Sequence, residues 1–245
     1  RKGRSLPQSV SEQSANDEKN PHLCRMEPTS RKYLFFDLDG TLTDSMPGIA
    51  RAVQYALRRF GIDVQDLAAL KPFLGPPLRD SFMEFYGMSP EEADRAVAVS
   101  REYFVPRGMF ENELYPGIPE LLAATAAAGR VNVIATSKPQ PFAERIAAHF
   151  GIDRHFRLIS GSTFDGRRKT KADVIRHALS ALGIAPGEAV MIGDRRHDVE
   201  GAAEEGLPAI AVEWGYAPPG ELEAARPLRI VPDVETLRRL LLGNE

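Results

Sequence analysis

The chain has 245 residues, of which 43% are hydrophobic and 27% charged, with a net charge of -3 and a pI of about 6.0. That supply of apolar residues suffices for one sizeable core, or a core with a smaller satellite, and argues against a disordered chain. The mildly acidic balance gives no broad positive field for gripping a nucleic-acid polymer or an anionic membrane, so any anion must be captured locally.

No apolar run approaches the roughly 18 to 20 residues that span a bilayer. The start RKGRSLPQSVSEQSANDEKNPHL has no hydrophobic segment of signal-peptide type, and the lone Cys24 has no internal disulfide partner. A cytoplasmic protein is the expectation. Residues 1–30 are rich in Ser, Gln, Asn, Glu and Pro without periodicity, and are expected to form a disordered leader, with Met26 a candidate natural start.

From Tyr33 onward, short apolar runs of strand type (YLFF, VNVIA, AVMIG, AIAVE) alternate with helix-like stretches. Three of those stretches, IPELLAATAAAG, PFAERIAAHFG and KADVIRHALSALG, close on a glycine suited to a left-handed cap. Strands that are apolar throughout belong in a parallel sheet covered on both faces. The expected fold class is therefore α/β, a three-layer Rossmann-like core built from residues 31–46 and 113–245.

Residues 47–112 interrupt the alternation with consecutive helical patterns, GIARAVQYALRRFG, LRDSFMEFYG and PEEADRAVAVSREYFVPRG. Val53, Leu57, Phe82 and Phe85 are the apolar positions expected to form a small core of their own, which makes this insert an all-helical cap domain.

Ligands of an open parallel sheet gather beyond the carboxyl ends of its strands. The first strand run leads into Asp37 and Asp39 of DLDGTLTDS, the second into Thr136 and Ser137 of ATSKP, and the third into Asp194 and Asp198 of GDRRHD. Converging carboxylates repel unless a cation sits among them, and hard oxygen ligands suit Mg²⁺. One such carboxylate can attack phosphorus, and a second can shuttle the proton of the departing alkoxide. A lysine is needed to offset phosphate charge, for which Lys171 and Lys169 are the candidates. Thr136 and Ser137 also suit a plain capping role for the helix that starts near Pro139. Trp214 and Tyr216 are read as core or rim packing, Arg79 as a minor candidate for substrate contact, and the five histidines as structural or exposed.

DLDGTLTDS, ATSKP, Lys171 in KTKADVI and GDRRHD, in that order, resemble the four motifs of haloacid dehalogenase superfamily phosphatases, over roughly residues 33–242. The resemblance implies Asp37 as nucleophile, Asp39 as acid/base, Thr136 as the phosphate-binding hydroxyl, with Ser137 beside it a candidate phosphate donor from its position, and Lys171 as the neutralising lysine. It implies Mg²⁺ held by Asp37, the main-chain carbonyl of Asp39 and Asp194, with Asp198 in support. The insert resembles the helical cap of the phosphoglycolate phosphatase and β-phosphoglucomutase branch, and SFMEFYG, PFLGPPLRD and SKP are most similar to the phosphoglycolate phosphatase-like group. The implied activity is hydrolysis of a small phosphomonoester by a monomer or homodimer, with phosphoglycolate the first substrate. A 5′-nucleotidase and a β-phosphoglucomutase-type phosphotransferase are the alternatives.

Overall fold

A computed structural model describes residues 31–243 of the chain, so the expected leader at 1–30, with Cys24 and Met26, lies outside the described residues. Interior strands form where the sequence is apolar on both faces. β1 (Tyr33–Phe36), β4 (Val131–Pro139), β6 (Ala189–Gly193) and β7 (Ala209–Val212) contain the four runs recognised above. With β5 (Phe156–Ser162) and β8 (Arg229–Val231) they build a six-stranded sheet of order β5-β4-β1-β6-β7-β8, in which every pairing is parallel.

Side-chain alternation divides β1 between two cores. Leu34 and Phe36 join Ile134, Ile192 and Ile210 on one face, against α4 (Ile118–Ala127), α5 (Gln140–His149) and α9 (Val234–Leu242). Phe35 joins Val133, Met191 and Ala209 on the other, against α6 (Lys171–Leu182) and α7 (Arg196–Glu204). The three-layer α/β expectation holds. β5 and β8 were not among the expected strands, because both sit at sheet edges and carry exposed arginines, Arg157 and Arg229, that break the apolar pattern.

The 47–112 segment is helical, with α1 (Met46–Arg59), a 3-10 turn over Leu67–Phe73, α2 (Leu78–Tyr86) and α3 (Pro90–Phe104). Ser89 and Glu92 start α3 with a reciprocal capping box. Val53, Leu57, Phe73 and Phe82 pack in a separate apolar cluster. Phe85 departs from expectation: it is 41% exposed, and its ring meets Phe73 in a T-shaped pair at 5.4 Å. The segment is flanked by β2 (Thr43–Asp44) and β3 (Glu113–Leu114), which pair antiparallel as a two-stranded ribbon.

The helical segment rests on the sheet domain at several points. Arg195 donates to the Leu74 carbonyl, Arg145 Nη2 donates to the Val105 carbonyl at 3.4 Å, and the Phe104 and Phe142 rings lie 5.7 Å apart. None of the described helices is long and apolar enough to cross a membrane.

Candidate active site

β1 delivers Asp37 to its carboxyl end, where the Asp37 N–H continues the ladder to the Ile192 carbonyl at 2.9 Å. The chain then turns sharply, and the N–H groups of Leu42 and Thr43 both donate to the Leu38 carbonyl. Gly40 makes the turn possible. Its φ is +84°, and a Cβ there would stand 2.2 Å from Asp194 Oδ2, so a side chain is excluded by both conformation and space.

Lys171 is the first residue of α6, whose start is fixed by a capping box between Thr170 and Asp173. The buried Nζ lies 2.9 Å from Asp37 Oδ1 and 2.7 Å from Asp198 Oδ1, and donates to the Ala135 carbonyl at 3.1 Å. Burial opposes its charge, but Asp198 and Asp37 outweigh that and raise its pKa above the ordinary lysine value. Lys169 is exposed. Of the two candidate lysines, the structure brings Lys171 to the carboxylates.

The carboxylates of Asp37, Asp194 and Asp198 offer oxygens that all lie within 4.8 Å of one another. Asp194 is wholly buried, taking one hydrogen bond from Thr41 Oγ1 at 3.2 Å and another from the Tyr216 N–H at 2.8 Å. Burial first, then the nearby Asp198 and Asp37 charges, push its pKa well up. Burial likewise pushes Asp198 up to about 6, against the downward pull of Lys171. Asp198, expected in support of the metal site, lies beside Asp37 and Asp194 and is paired with Lys171.

Asp39 has a different partner. Its Oδ2 lies 2.7 Å from Lys138 Nζ, while its buried Oδ1 has no hydrogen-bond donor. Lys138 also stands 5.0 Å over the ring of Phe104, at the end of α3. Sequence reasoning passed over Lys138, although it follows Thr136 and Ser137 in the same strand-end motif. Thr136 is buried and its hydroxyl oxygen accepts from the Lys138 N–H at 3.2 Å, whereas Ser137 is exposed. Neither hydroxyl caps α5, whose N-cap is Pro139 without a side-chain bond.

Tyr216 and Trp214 are closer to the site than packing alone requires: Trp214 Nε1 donates to the Thr41 carbonyl at 3.1 Å, and Tyr216 meets Asp194 directly. Arg79 turns to Asp94 at 2.7 Å within the helical segment. Among the described residues, no histidine belongs to the acidic trio.

Four carboxyl groups, those of Asp37, Asp39, Asp194 and Asp198, thus face only two ammonium groups, Lys138 and Lys171. A divalent cation offsets that acidic excess, and the all-oxygen donor set suits a hard ion. The residues present therefore fit a bound divalent metal.

The model of haloacid dehalogenase-like hydrolases matches residues 34–212, which include every one of these side chains. The chain belongs to the haloacid dehalogenase-like hydrolase family. Within that family it is 48% identical over 208 residues to a Pseudomonas aeruginosa protein named 5′-nucleotidase, covering 85% of this chain and 94% of that one. It is 42% identical over 187 residues to the Mycobacterium tuberculosis tyrosine-protein kinase PtkA, covering 76% of this chain and 64% of PtkA. The crystal structure of a predicted phosphatase from Clostridium acetobutylicum superposes with a TM-score of 0.84 at 46% identity, covering 87% of this chain and 99% of that chain.

Proposed function

We propose that this chain hydrolyses small phosphate monoesters through an aspartyl-phosphate on Asp37, with residues 47–112 acting as a cap domain over the site. The observation that carries the reading is the buried Lys171 ammonium, which bridges Asp37 and Asp198 beside Asp194. Lys171 engages Oδ1 of Asp37 and leaves Oδ2 as the attacking atom. As the new Asp37–phosphorus bond forms, the ester oxygen departs and takes a proton from Asp39. Asp39, then ionised, removes a proton from water. That water attacks phosphorus, freeing Asp37 and inorganic phosphate.

Lys138 holds Asp39 by its Oδ2 through both steps. Thr136 Oγ1 already accepts from the Lys138 N–H, so its own O–H is the group to donate to a phosphoryl oxygen, with Ser137 beside it. Mg²⁺ is the ion we assign to Asp37, Asp194, Asp198 and the main-chain carbonyl of Asp39, where it would disperse charge from the phosphoryl oxygens and relieve carboxylate repulsion.

Nucleoside 5′-monophosphates are the first substrate class, ahead of phosphoglycolate, in view of the 48% identity to a protein named 5′-nucleotidase. The test is a phosphate-release screen across nucleoside 5′-monophosphates, phosphoglycolate and sugar phosphates, with and without Mg²⁺, in wild type and Asp37→Asn. We expect Mg²⁺-dependent release that is greatest for a nucleotide and absent in the variant. No release from any ester would refute the reading.

A further inference from the structure

We propose that Tyr216 is a positioning residue: the strap Trp214–Tyr216 ties the Asp194 carboxylate to the hinge from which the helical segment emerges. The proposal deepens the phosphatase reading and rests on it for its kinetic consequences.

The strap leaves β7 and passes directly over Asp194. A Cβ on Gly215 would stand 2.3 Å from Asp194 Cβ, so the backbone approaches as closely as glycine permits. On one side of that glycine the strap bonds the carboxylate directly, and on the other it bonds Thr41, which in turn bonds the second oxygen. Tyr216 N–H donates to Oδ2 at 2.8 Å. Trp214 Nε1 holds the carbonyl of Thr41 at 3.1 Å, and the Thr41 hydroxyl donates to Oδ1 at 3.2 Å.

The side chain of Tyr216 reaches the other way. Its hydroxyl donates to Asp44 Oδ1 at 2.8 Å and accepts from the Met46 N–H at 3.1 Å. Asp44 ends β2, one strand of the linker ribbon, and Met46 is the first residue of α1. Tyr115, beyond the second ribbon strand, stacks edge-on against Trp214 at 6.4 Å. Burial, reinforced by Tyr115, keeps the Tyr216 hydroxyl protonated and able to donate. One residue therefore grips an acidic group of the site through its backbone and the hinge through its side chain. The two contacts use different atoms, so they can be separated by mutation.

Tyr216→Phe keeps the ring and the N–H to Asp194 but removes the hinge bonds; Asp44→Ala removes the Tyr216–Asp44 bond from the other end, together with the bond that Asp44 Oδ1 accepts from the Met46 N–H at 3.1 Å. A hydrogen bond to a carboxylate is worth enough to shift a hinge equilibrium about tenfold. Depopulating the binding-competent arrangement weakens apparent affinity in proportion. We expect each variant to raise KM for p-nitrophenyl phosphate or a nucleoside monophosphate by up to about tenfold while kcat stays within about twofold. Asp44→Asn, which retains an acceptor oxygen for both the Tyr216 hydroxyl and the Met46 N–H, should restore KM. In the absence of substrate, amide hydrogen exchange across residues 43–49 should quicken in Tyr216→Phe and Asp44→Ala. Unchanged KM with unchanged exchange overturns the strap, and so does an Asp44→Asn variant that behaves no better than Asp44→Ala. If wild type releases no phosphate from any ester, the phosphatase reading fails alone, because the exchange experiment still decides the strap.

Discussion

Lys171 Nζ lies 2.7 Å from Asp198 Oδ1, and both side chains are almost fully buried. Removing one member of a buried ion pair strands the other, at a cost of about 3 to 5 kcal/mol. Lys171→Ala should therefore lower the unfolding free energy by that order and abolish turnover. Lys169→Ala, at an exposed position, should change unfolding by no more than about 0.5 kcal/mol. Denaturant titration of the two variants checks the ranking, and a larger effect at Lys169 would show that the wrong lysine has been assigned.

Asp37→Asn is nearly isosteric and leaves the strand ladder through the Asp37 N–H intact. Turnover should fall by at least roughly a thousandfold, because an amide cannot form the phosphoenzyme. Circular dichroism should match wild type. Retained turnover would remove Asp37 from the chemistry.

Gly40→Ala forces a side chain into a left-handed backbone, with φ +84°, and against Asp194 Oδ2. Strain of about 1 to 3 kcal/mol is expected from the backbone alone, so the melting temperature should drop by several degrees and activity with it. Wild-type melting would mean that the turn can be rebuilt without glycine.

In the metal-free protein two buried carboxyl groups shape the pH response, Asp194, pushed well up, and Asp198, whose pKa rises from the ordinary 3.8 to about 6. A carboxyl group with a raised folded-state pKa stabilises the fold fully below its unfolded value and loses that contribution as pH climbs through the folded one. Between pH 4 and 6, Asp198→Asn should thus flatten a decline in stability that wild type shows. Mg²⁺ needs the ionised carboxylates, so its stabilising effect should be larger at pH 7.5 than at pH 5. Thermal melts of both proteins at several pH values, with and without Mg²⁺, check both slopes.

The interior of the sheet was legible because its strands are apolar on both faces; edge strands β5 and β8 were not, since Arg157 and Arg229 interrupt them. At the site, Asp37, Thr136 and Asp194 were readable as strand-end residues in recognisable motifs. Lys138 lay in one of those motifs, but its pairing with Asp39 depends on how β1 and β4 are set side by side. Tyr216 carried no local mark of its link to Asp44, because that contact joins chain segments far apart in sequence. Phe85 looked like a core residue by periodicity, yet the helical segment is too small to enclose every apolar position on α2.

The ribbon formed by β2 and β3 brings the two crossings between sheet and helices together, with Asp44 opposite Glu113. Departure and return at one spot make everything between them an exchangeable cassette. A foreign helical bundle grafted at Asp44 and Glu113 would leave every strand of the six-stranded sheet uncut.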